Sequence, residues 1–334
     1  MKLLNYLFLF LLLAVFSSCQ DDISKADDIL NAYKYDEAYE LFKAAADEGN
    51  AYAKWRLSSF YNNGWVVDFD QQKAKSLLLE ASKAGCEEAK VDEAFMYMFG
   101  WYDTKIDEAK GKNILDKLVK NTQNTRVLCK YALLLQDGTS PYEENQEKAL
   151  KIINGIKDKE NVWYFRTMGE FYKKGCDTIK VDINKSNEYF EKAFESGSAY
   201  SASLIANSFI EGEGIKKDLN KAIEWLKKGA DVEESTCMTA LSRIYLDESE
   251  EYKKFHNTKA GIDYLKKAVN HGNCEAMTHF GYCYIDGTGV GKDNEKAFEY
   301  FKKATLGGSS SGAFALGLAS QIHNRSAIFQ GVEV

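Results

Sequence analysis

Proline is nearly absent from this sequence, with Pro141 the single one among 334 residues. Proteins usually contain about 5% proline, and proline interrupts helices, so its scarcity favours helices joined by short turns. Basic residues are also in the minority, 43 Lys and Arg against 50 Asp and Glu, and they form no cluster that could neutralise a row of phosphates. We therefore expect no nucleic acid among the partners.

The apolar run at the N-terminus is too short to cross a bilayer. It occupies residues 3–16, whereas a membrane-spanning helix needs about 20. Lys2 precedes this run and Ser17-Ser18-Cys19 follows it. A basic residue, a short apolar stretch and small residues in this order predict a signal peptide over residues 1–18.

Small residues followed by Cys19 resemble a bacterial lipobox, whose cysteine becomes the acylated first residue of the mature protein. The resemblance implies lipid attachment at Cys19, an acidic tether over 19–24, and a membrane-anchored lipoprotein of the bacterial cell envelope, on the periplasmic side or the cell surface. Multiple acyl chains, at about 0.8 kcal/mol per buried methylene, would make a stable anchor. The alternative is an ordinary cleaved signal in which Cys19 is incidental.

The rest of the chain repeats itself every 36 to 39 residues. In the first copy Ala53, the anchor, is followed by Leu57, Ser58 and Tyr61 at offsets of four, five and eight. Further anchors stand at residues 89, 127, 164, 201, 237, 276 and 312. A fixed period of this length predicts an array of stacked structural repeats.

A second series of small residues recurs with the same period as the anchors, and a large residue follows each of them three positions later. The small residues are Ala38, Ala74, Gly111, Ala149, Ser186, Ala222, Gly261 and Ala297. Small and large residues at helical spacing indicate two helices that cross closely, so each repeat is predicted to be a helix pair. Glycines after each series, such as Gly64 and Gly85, predict the helix ends, and an acid such as Asp218 precedes each second helix.

These residues together resemble the Sel-one-like repeat, a relative of the tetratricopeptide repeat. The pattern is cleanest at 201–230 and 276–308, and weakest at 89–121, where Glu93 replaces the expected leucine. The resemblance implies an all-α fold, a right-handed α-solenoid of about seven helix-turn-helix repeats over residues 25–325. The repeats are placed near 53–88, 89–126, 127–163, 164–200, 201–236, 237–275 and 276–311, with a partial cap at 312–325 and a tail at 326–334. The cap could instead be the truncated start of an eighth repeat.

Six cysteines follow Cys19, and exported proteins can pair theirs. Some secreted relatives carry a disulfide in each repeat and are linked to β-lactam binding, but the repeat over 53–85 here has no cysteine. Cys274 and Cys283 are nine residues apart, which places them on opposite faces of one helix and prevents a bond between them. Buried single thiols are the simpler interpretation, and pairing stays open.

No residue set in the sequence predicts catalysis or a cofactor. His271, Cys274, His279 and Cys283 have a metal-like composition, but they fall on different faces, so we interpret them as a coincidental cluster. The glycine-rich segment 287–291 follows a helix rather than a strand and is interpreted as a turn of the repeat. We therefore predict neither an enzyme nor a metal or cofactor site.

The face of each first helix opposite the anchors is predicted to line a groove. It comprises offsets −1, +2, +6, +9 and +10, and by resemblance to tetratricopeptide solenoids it would be the concave face. It is apolar in the early repeats and polar after residue 200, which predicts an interaction site in the first half. The candidate partner-binding residues are Tyr52, Trp55, Phe95, Met98, Phe99, Trp163, Arg166 and Glu170. Alternatively, they pack against a neighbouring repeat.

The sequence thus predicts a lipid-anchored envelope scaffold that binds a protein or peptide partner in its groove. An envelope enzyme acting on a cell-wall or β-lactam-type substrate is the first alternative. It would require two or more buried acids, or a Ser–Lys pair, facing one cavity. A neutralising partner for a toxin is the second.

Overall fold

The computed structural model describes residues 23, 25–27, 29–30, 34–176 and 178–330, with side chains up to residue 320. Cys19, the predicted signal peptide and, apart from Ile23, the acidic tether lie outside the described residues. The described residues fall into two compact units that divide between Ser198 and Ala199. Each unit is built from antiparallel helix pairs.

Between residues 34 and 198 the first unit contains nine α-helices: α1 Tyr35–Asp47, α2 Ala51–Asn63, α3 Gln71–Lys83, α4 Glu87–Phe99, α5 Glu108–Leu118, α6 Thr125–Asp137, α7 Gln146–Gly155, α8 Val162–Lys174 and α9 Ile183–Glu195. Seven form the second: α10 Ser201–Glu211, α11 Leu219–Asp231, α12 Ser235–Leu246, α13 Thr258–Asn270, α14 Cys274–Asp286, α15 Asn294–Leu306 and α16 Ser310–Gln330. Within the described part of the chain there is no strand, only an isolated bridge between Cys176 and Ile179. The predicted all-α repeat fold is confirmed.

Polar caps begin the helices where the sequence predicts them. Asp218 accepts a hydrogen bond from the backbone N–H of Lys221, and Asp293 does the same for Lys296. Such caps contribute about 1 kcal/mol each because they satisfy amides that the helix leaves unpaired. The predicted glycine ends are also confirmed: Gly212, for example, ends α10 with a φ of 71°, a left-handed conformation that favours glycine.

The small residues of the second series lie where paired helices cross. All eight are buried, which confirms their predicted role. A Cβ on Gly111 of α5 would lie 2.5 Å from the carbonyl oxygen of Ala94 in α4. Gly169 of α8, an offset +5 residue, is equally confined, since its Cβ would lie 2.3 Å from the Phe190 ring in α9. Glycine is therefore needed at both crossings.

The last helix differs from the expectation. We predict a cap helix ending near residue 325 and a tail from 326, but α16 continues as helix through Gln330. In the described residues, no helix has the length and apolar character needed to cross a membrane.

Candidate partner-binding site

Arginine and tryptophan side chains alternate across three first helices of the first unit. We call Arg56, Trp55, Arg126, Trp163 and Arg166 the Arg–Trp stack. The Arg56 Cζ lies 4.9 Å from the Trp55 ring centroid, and the Arg126 Cζ lies 4.4 Å from the same ring. On its other side the Arg126 Cζ lies 4.8 Å from the Trp163 ring, which Arg166 approaches at 5.1 Å. Each of these contacts is within cation–π range, which extends to about 6 Å.

The repeat register explains why these residues meet. Tyr52, Arg126 and Trp163 each stand one position before an anchor, so they occupy equivalent places on α2, α6 and α8. Residues one period apart lie side by side on neighbouring first helices of a solenoid. The period therefore accounts for the contact between Arg126 and Trp163, whereas the contact between Arg126 and Trp55 joins two different register positions on helices two repeats apart.

Two carboxylates hold the stack in place. Asp27 forms an ion pair with Arg56 at 2.5 Å and accepts a hydrogen bond from the Tyr52 hydroxyl at 2.8 Å. Asp92 accepts a hydrogen bond from Nε1 of Trp55 at 2.7 Å and forms an ion pair with Lys130 at 3.0 Å. Arg56 and Lys130 are thus neutralised within the protein.

Arg126 is not neutralised in this way. No carboxylate oxygen of a described residue lies within 4.0 Å of its guanidinium, and its Nε has no hydrogen-bond partner among those residues. Desolvation lowers the pKa of Arg126, the nearby Arg56 adds to the lowering, and Asp92 opposes it. Desolvation also lowers the pKa of Lys130, despite its pairing with Asp92. The stack therefore holds a partly desolvated guanidinium whose two faces are covered by indoles.

An aromatic corner adjoins the stack at the end of α4. It consists of Phe95, Phe99 and Trp101, whose centroids lie 5.4 Å (Phe95–Phe99) and 5.6 Å (Phe95–Trp101) apart. Lys130 connects it to the stack, since its Nζ lies 5.1 Å from the Phe95 ring. Trp101 is 44% exposed, which is unusual for tryptophan. An exposed tryptophan beside two partly exposed phenylalanines is typical of an interaction surface.

The predicted groove face is only partly correct. Offset +2 is buried in six of the seven complete repeats, where Trp55, Val91, Cys129, Ser203, Thr239 and Thr278 stand. The open positions are −1, +6, in α4 also +10, and +3 in every repeat except that of α8, where Thr167 is buried and Arg166 at +2 is partly exposed. Residues at +2 point toward the neighbouring repeat, and the threonine hydroxyls there donate to carbonyls of their own helix. The accessible face is therefore rotated from the predicted one.

Because of this rotation, two of the candidate residues are buried instead of exposed. Trp55 is 3% exposed and Met98 is 2% exposed, so the expectation that they face water is wrong. Trp55 is covered by Arg56 and Arg126, whereas Met98 fills the crossing beside Gly111. The other candidates are partly exposed: Tyr52, Phe95, Phe99, Trp163, Arg166 and Glu170. Their role in partner binding stays a prediction.

Sequence reasoning missed Arg126, Lys130, Asp92 and Trp101. Arg126 stands at offset −1, the same register position as the candidates Tyr52 and Trp163, so the period alone could have identified it. Asp92 and Lys130 both stand at offset +3, which the predicted face did not include. Trp101 lies in the turn after α4, outside the repeated helix positions, so the period could not identify it.

The cysteines and histidines give no sign of a second site. All six cysteines among the described residues are free thiols, and burial raises the pKa of Cys129 to about 12. His279 accepts a hydrogen bond from Nε of Arg243 at 2.9 Å, and its pKa is lowered to about 4, by burial first and by Arg243 second. Among the described residues, no three or more His, Cys, Asp or Glu side chains form a group able to hold a metal ion.

One cavity of about 690 Å³ lies between α5 and α7, away from the Arg–Trp stack. Its acids are the half-buried Asp116 and the exposed Glu143 and Glu144. Asp116 accepts hydrogen bonds from the hydroxyls of Tyr142 at 3.1 Å and Tyr131 at 3.4 Å. The two buried acids that the enzyme alternative requires are not found in this cavity.

The fold and the site define a helical-repeat protein whose first unit presents aromatic and cationic side chains on its first helices. The Sel1 repeat family model matches residues 33–50, 51–86, 126–152, 168–198, 199–231, 235–273 and 274–309. These matches cover more than half of the chain, which therefore belongs to the Sel1 repeat family. Residues 87–125, where the sequence pattern is weakest, lie between two matches. Sel1 repeat proteins are generally scaffolds without catalytic activity.

Among curated proteins, the chain is similar to the chitin synthase regulator SKT5 of Saccharomyces cerevisiae. The two are 23% identical over 307 residues, which are 86% of this chain and 42% of that protein. The chain spans less than half the length of the curated relatives it matches.

The chain is also similar to two solved structures. The Sel1 repeat protein from Oxalobacter formigenes is 19% identical, with 91% of this chain and 89% of that one covered and a TM-score of 0.48. The immunity protein Pa5087 from Pseudomonas aeruginosa is 13% identical, with 67% and 82% covered and a TM-score of 0.50. At this identity the second likeness shows the helical-repeat fold alone.

Proposed function

We propose that this chain is a lipid-anchored scaffold of the bacterial cell envelope, which binds a protein or peptide partner on the open face of its first unit. The observation that carries the proposal is the continuity of the aromatic corner with the Arg–Trp stack. Tryptophan, tyrosine and arginine dominate the binding energy of protein interfaces, because they bury large areas and still form polar contacts. Here Trp163 presents such area against Arg126, and Phe99 and Trp101 present it in the adjoining aromatic corner.

The family supports a role in binding rather than catalysis. Sel1 repeat proteins generally act as scaffolds, and the similar yeast protein is named as a regulator of an enzyme, chitin synthase. A regulator acts through contact with another protein, which is the kind of role that a surface without convergent catalytic groups can fill. For this chain we propose the same class of partner, a protein, without proposing the same enzyme.

The proposed lipid anchor is supported by the sequence alone. The short apolar run, the small residues and Cys19 in this order support acylation, and Cys19 would then tether the repeats to a membrane. A tethered scaffold meets membrane-associated partners at raised effective concentration, so modest affinity is sufficient.

Partner capture with matched variants tests the binding proposal. The mature chain, Trp163→Ala and Trp225→Ala are immobilised, exposed to envelope extract, and the retained proteins are identified by mass spectrometry. Trp225 is the control: it is also partly exposed and covered by a cation, with the Lys228 Nζ 3.8 Å from its ring, but it lies in the second unit. Circular dichroism confirms that each variant is folded.

We expect one protein to be retained by the wild type and by Trp225→Ala, and to be lost with Trp163→Ala. With that protein purified, Trp163→Ala should weaken binding at least about tenfold, since truncated interface tryptophans cost about 2 kcal/mol or more. Equal retention by Trp163→Ala and the wild type would refute a docking site on the first unit. Loss with both tryptophan variants would also refute it.

A further inference from the structure

The guanidinium of Arg126 has a charge that the described residues leave without a paired carboxylate. Both of its faces are covered, by Trp55 at 4.4 Å and Trp163 at 4.8 Å, so only its N–H edge is left for other contacts. That edge has no carboxylate within 4.0 Å among the described residues, in contrast to Arg56, which Asp27 neutralises. The Nε of Arg126 is buried, so its two terminal amino groups are the donors that a carboxylate can reach, and they present two N–H groups in the paired geometry that a carboxylate fits.

Desolvation makes this arrangement unfavourable, because it and the nearby Arg56 lower the pKa of Arg126 by more than the charges of Asp92 and Glu88 raise it. Arg126 is partly withdrawn from water, and an unpaired charge in that situation costs free energy that an anionic ligand recovers on binding. The indoles also hold the guanidinium in one orientation, so little side-chain entropy is lost when the ligand binds. Both effects favour an anion over a neutral group at this position.

The surroundings of Arg126 favour a peptide carboxylate over other anions. Lys130, one helical turn further along α6, is already paired with Asp92, and Glu88 lies on the same open face and would repel a highly charged ligand. One carboxylate therefore fits better than a row of phosphates. Lys130 stands one helical turn, roughly 6 Å, after Arg126, and its Nζ lies 5.1 Å from the Phe95 ring, so the aromatic corner is on the side of Arg126 toward which α6 continues.

We propose that the partner of this site is an extended peptide segment in which an acidic residue and a large apolar residue stand two positions apart. The acidic side chain binds the edge of Arg126 through paired hydrogen bonds, and the apolar side chain packs on Phe95, Phe99 and Trp101. Side chains at i and i+2 of an extended chain point to one side and are separated by about 7 Å, which is of the order of the spacing between Arg126 and Lys130, whose Nζ lies against the Phe95 ring. This inference rests on the proposed function, since it names the chemistry of the partner.

The probe is a fluorescein-labelled peptide with blocked ends that repeats Glu-Gly-Phe-Gly, compared with the same peptide carrying Gln for Glu. Binding to the mature chain is measured by fluorescence anisotropy at fixed ionic strength. We expect the Glu peptide to bind at least about tenfold more tightly than the Gln peptide, because charge-assisted bidentate bonds are roughly twice as strong as neutral ones. Arg126→Gln should remove this preference, and Phe99→Ala should weaken both peptides equally.

Two further variants keep the test decisive. Lys228→Gln removes another cation that covers an indole, but in the second unit, and should keep the full preference for Glu. Arg126→Lys preserves the charge but not the fork, and should lose most of the preference even if Arg126→Gln fails to fold. Equal binding of the Glu and Gln peptides to the wild type would overturn the inference. If Arg126→Lys keeps the preference for the Glu peptide, the bidentate geometry is wrong. If single-stranded oligothymidylate displaces the labelled Glu peptide at a lower concentration than the unlabelled Glu peptide does, the site binds nucleic acid instead.

The two proposals fail in different ways. If a protein partner is lost with Trp163→Ala but the Glu peptide shows no preference, the docking site stands and the carboxylate chemistry is wrong. If the Glu peptide binds through Arg126 but no protein depends on Trp163, the subsite stands and the proposed scaffold role is wrong.

Discussion

Replacing Gly169 by alanine tests how closely the site-bearing helix crosses its partner. Gly169 lies in α8, the helix that presents Trp163 and Arg166, and its carbonyl accepts a hydrogen bond from Ser186 at 2.8 Å. A Cβ at this position would lie 2.3, 2.5 and 2.9 Å from three carbons of the Phe190 ring. Phe190 is 1% exposed and packed on every side, so its ring cannot simply turn away.

Two opposing effects determine how much Gly169→Ala changes the free energy of unfolding. Carbon atoms pack best at about 3.5 to 4.0 Å, so α8 and α9 must separate by about 1 Å, and overpacking of this kind costs about 1–3 kcal/mol. Alanine is favoured over glycine in a helix by about 1 kcal/mol, which offsets part of the cost. Gly317→Ala measures that offset alone, because no atom lies within 4 Å of the Cβ it would add to α16.

Urea unfolding followed by far-UV circular dichroism gives the free energy of unfolding of each variant. We expect Gly317→Ala to be neutral or stabilising and Gly169→Ala to lie about 1–3 kcal/mol below it. In a Phe190→Leu background the alanine should cost at least about 0.5 kcal/mol less, because the clashing ring is gone. If Gly169→Ala is as stable as Gly317→Ala, the close crossing of α8 and α9 is refuted.

Three further predictions concern other parts of the chain. The pKa of His279 is about 4 in the folded protein against 6.5 for a free histidine, so between these pH values the unfolded state binds a proton that the folded state does not. The free energy of unfolding should therefore fall by up to about 3 kcal/mol from pH 6.5 to pH 4, and it should fall less in His279→Gln. Urea titrations at several pH values measure this change. Ala222→Trp forces a ring into a fully buried crossing and should lose about 1–3 kcal/mol or more; an unchanged melting temperature would contradict the close packing. Cells grown with labelled palmitate should label the wild type but not Cys19→Ser, and equal labelling of both would remove the lipid anchor.

Most of the fold follows from features local to each repeat. The period, the small residues at the crossings, the glycines with left-handed backbone and the acids that begin the second helices are all visible in one or two helical turns. Local sequence determines them because each depends on sterics or hydrogen bonds within a few residues. Gly111 and Asp218 are examples: their roles could be stated before any coordinates were known.

The orientation of each first helix could not be predicted with the same precision. Offsets +2 and +3 differ by about 100° around the helix, yet the anchors at 0, +4, +5 and +8 leave both outside the core of the pair. Which of them is covered depends on the tilt of the next repeat. Trp55 at +2 is buried and Arg56 at +3 is half-buried, a difference that only packing between repeats decides.

The sequence by itself therefore determines the class of fold, the phase of its helices and the half of the chain where aromatic residues gather. Only the tertiary structure decides that Arg126 lies between Trp55 and Trp163, and that Asp27 and Asp92 neutralise its neighbours but not Arg126 itself. The physical reason is that charge pairing and ring contacts depend on distances of a few ångströms between side chains from different repeats. A one-dimensional period specifies which residues are neighbours but leaves those distances open.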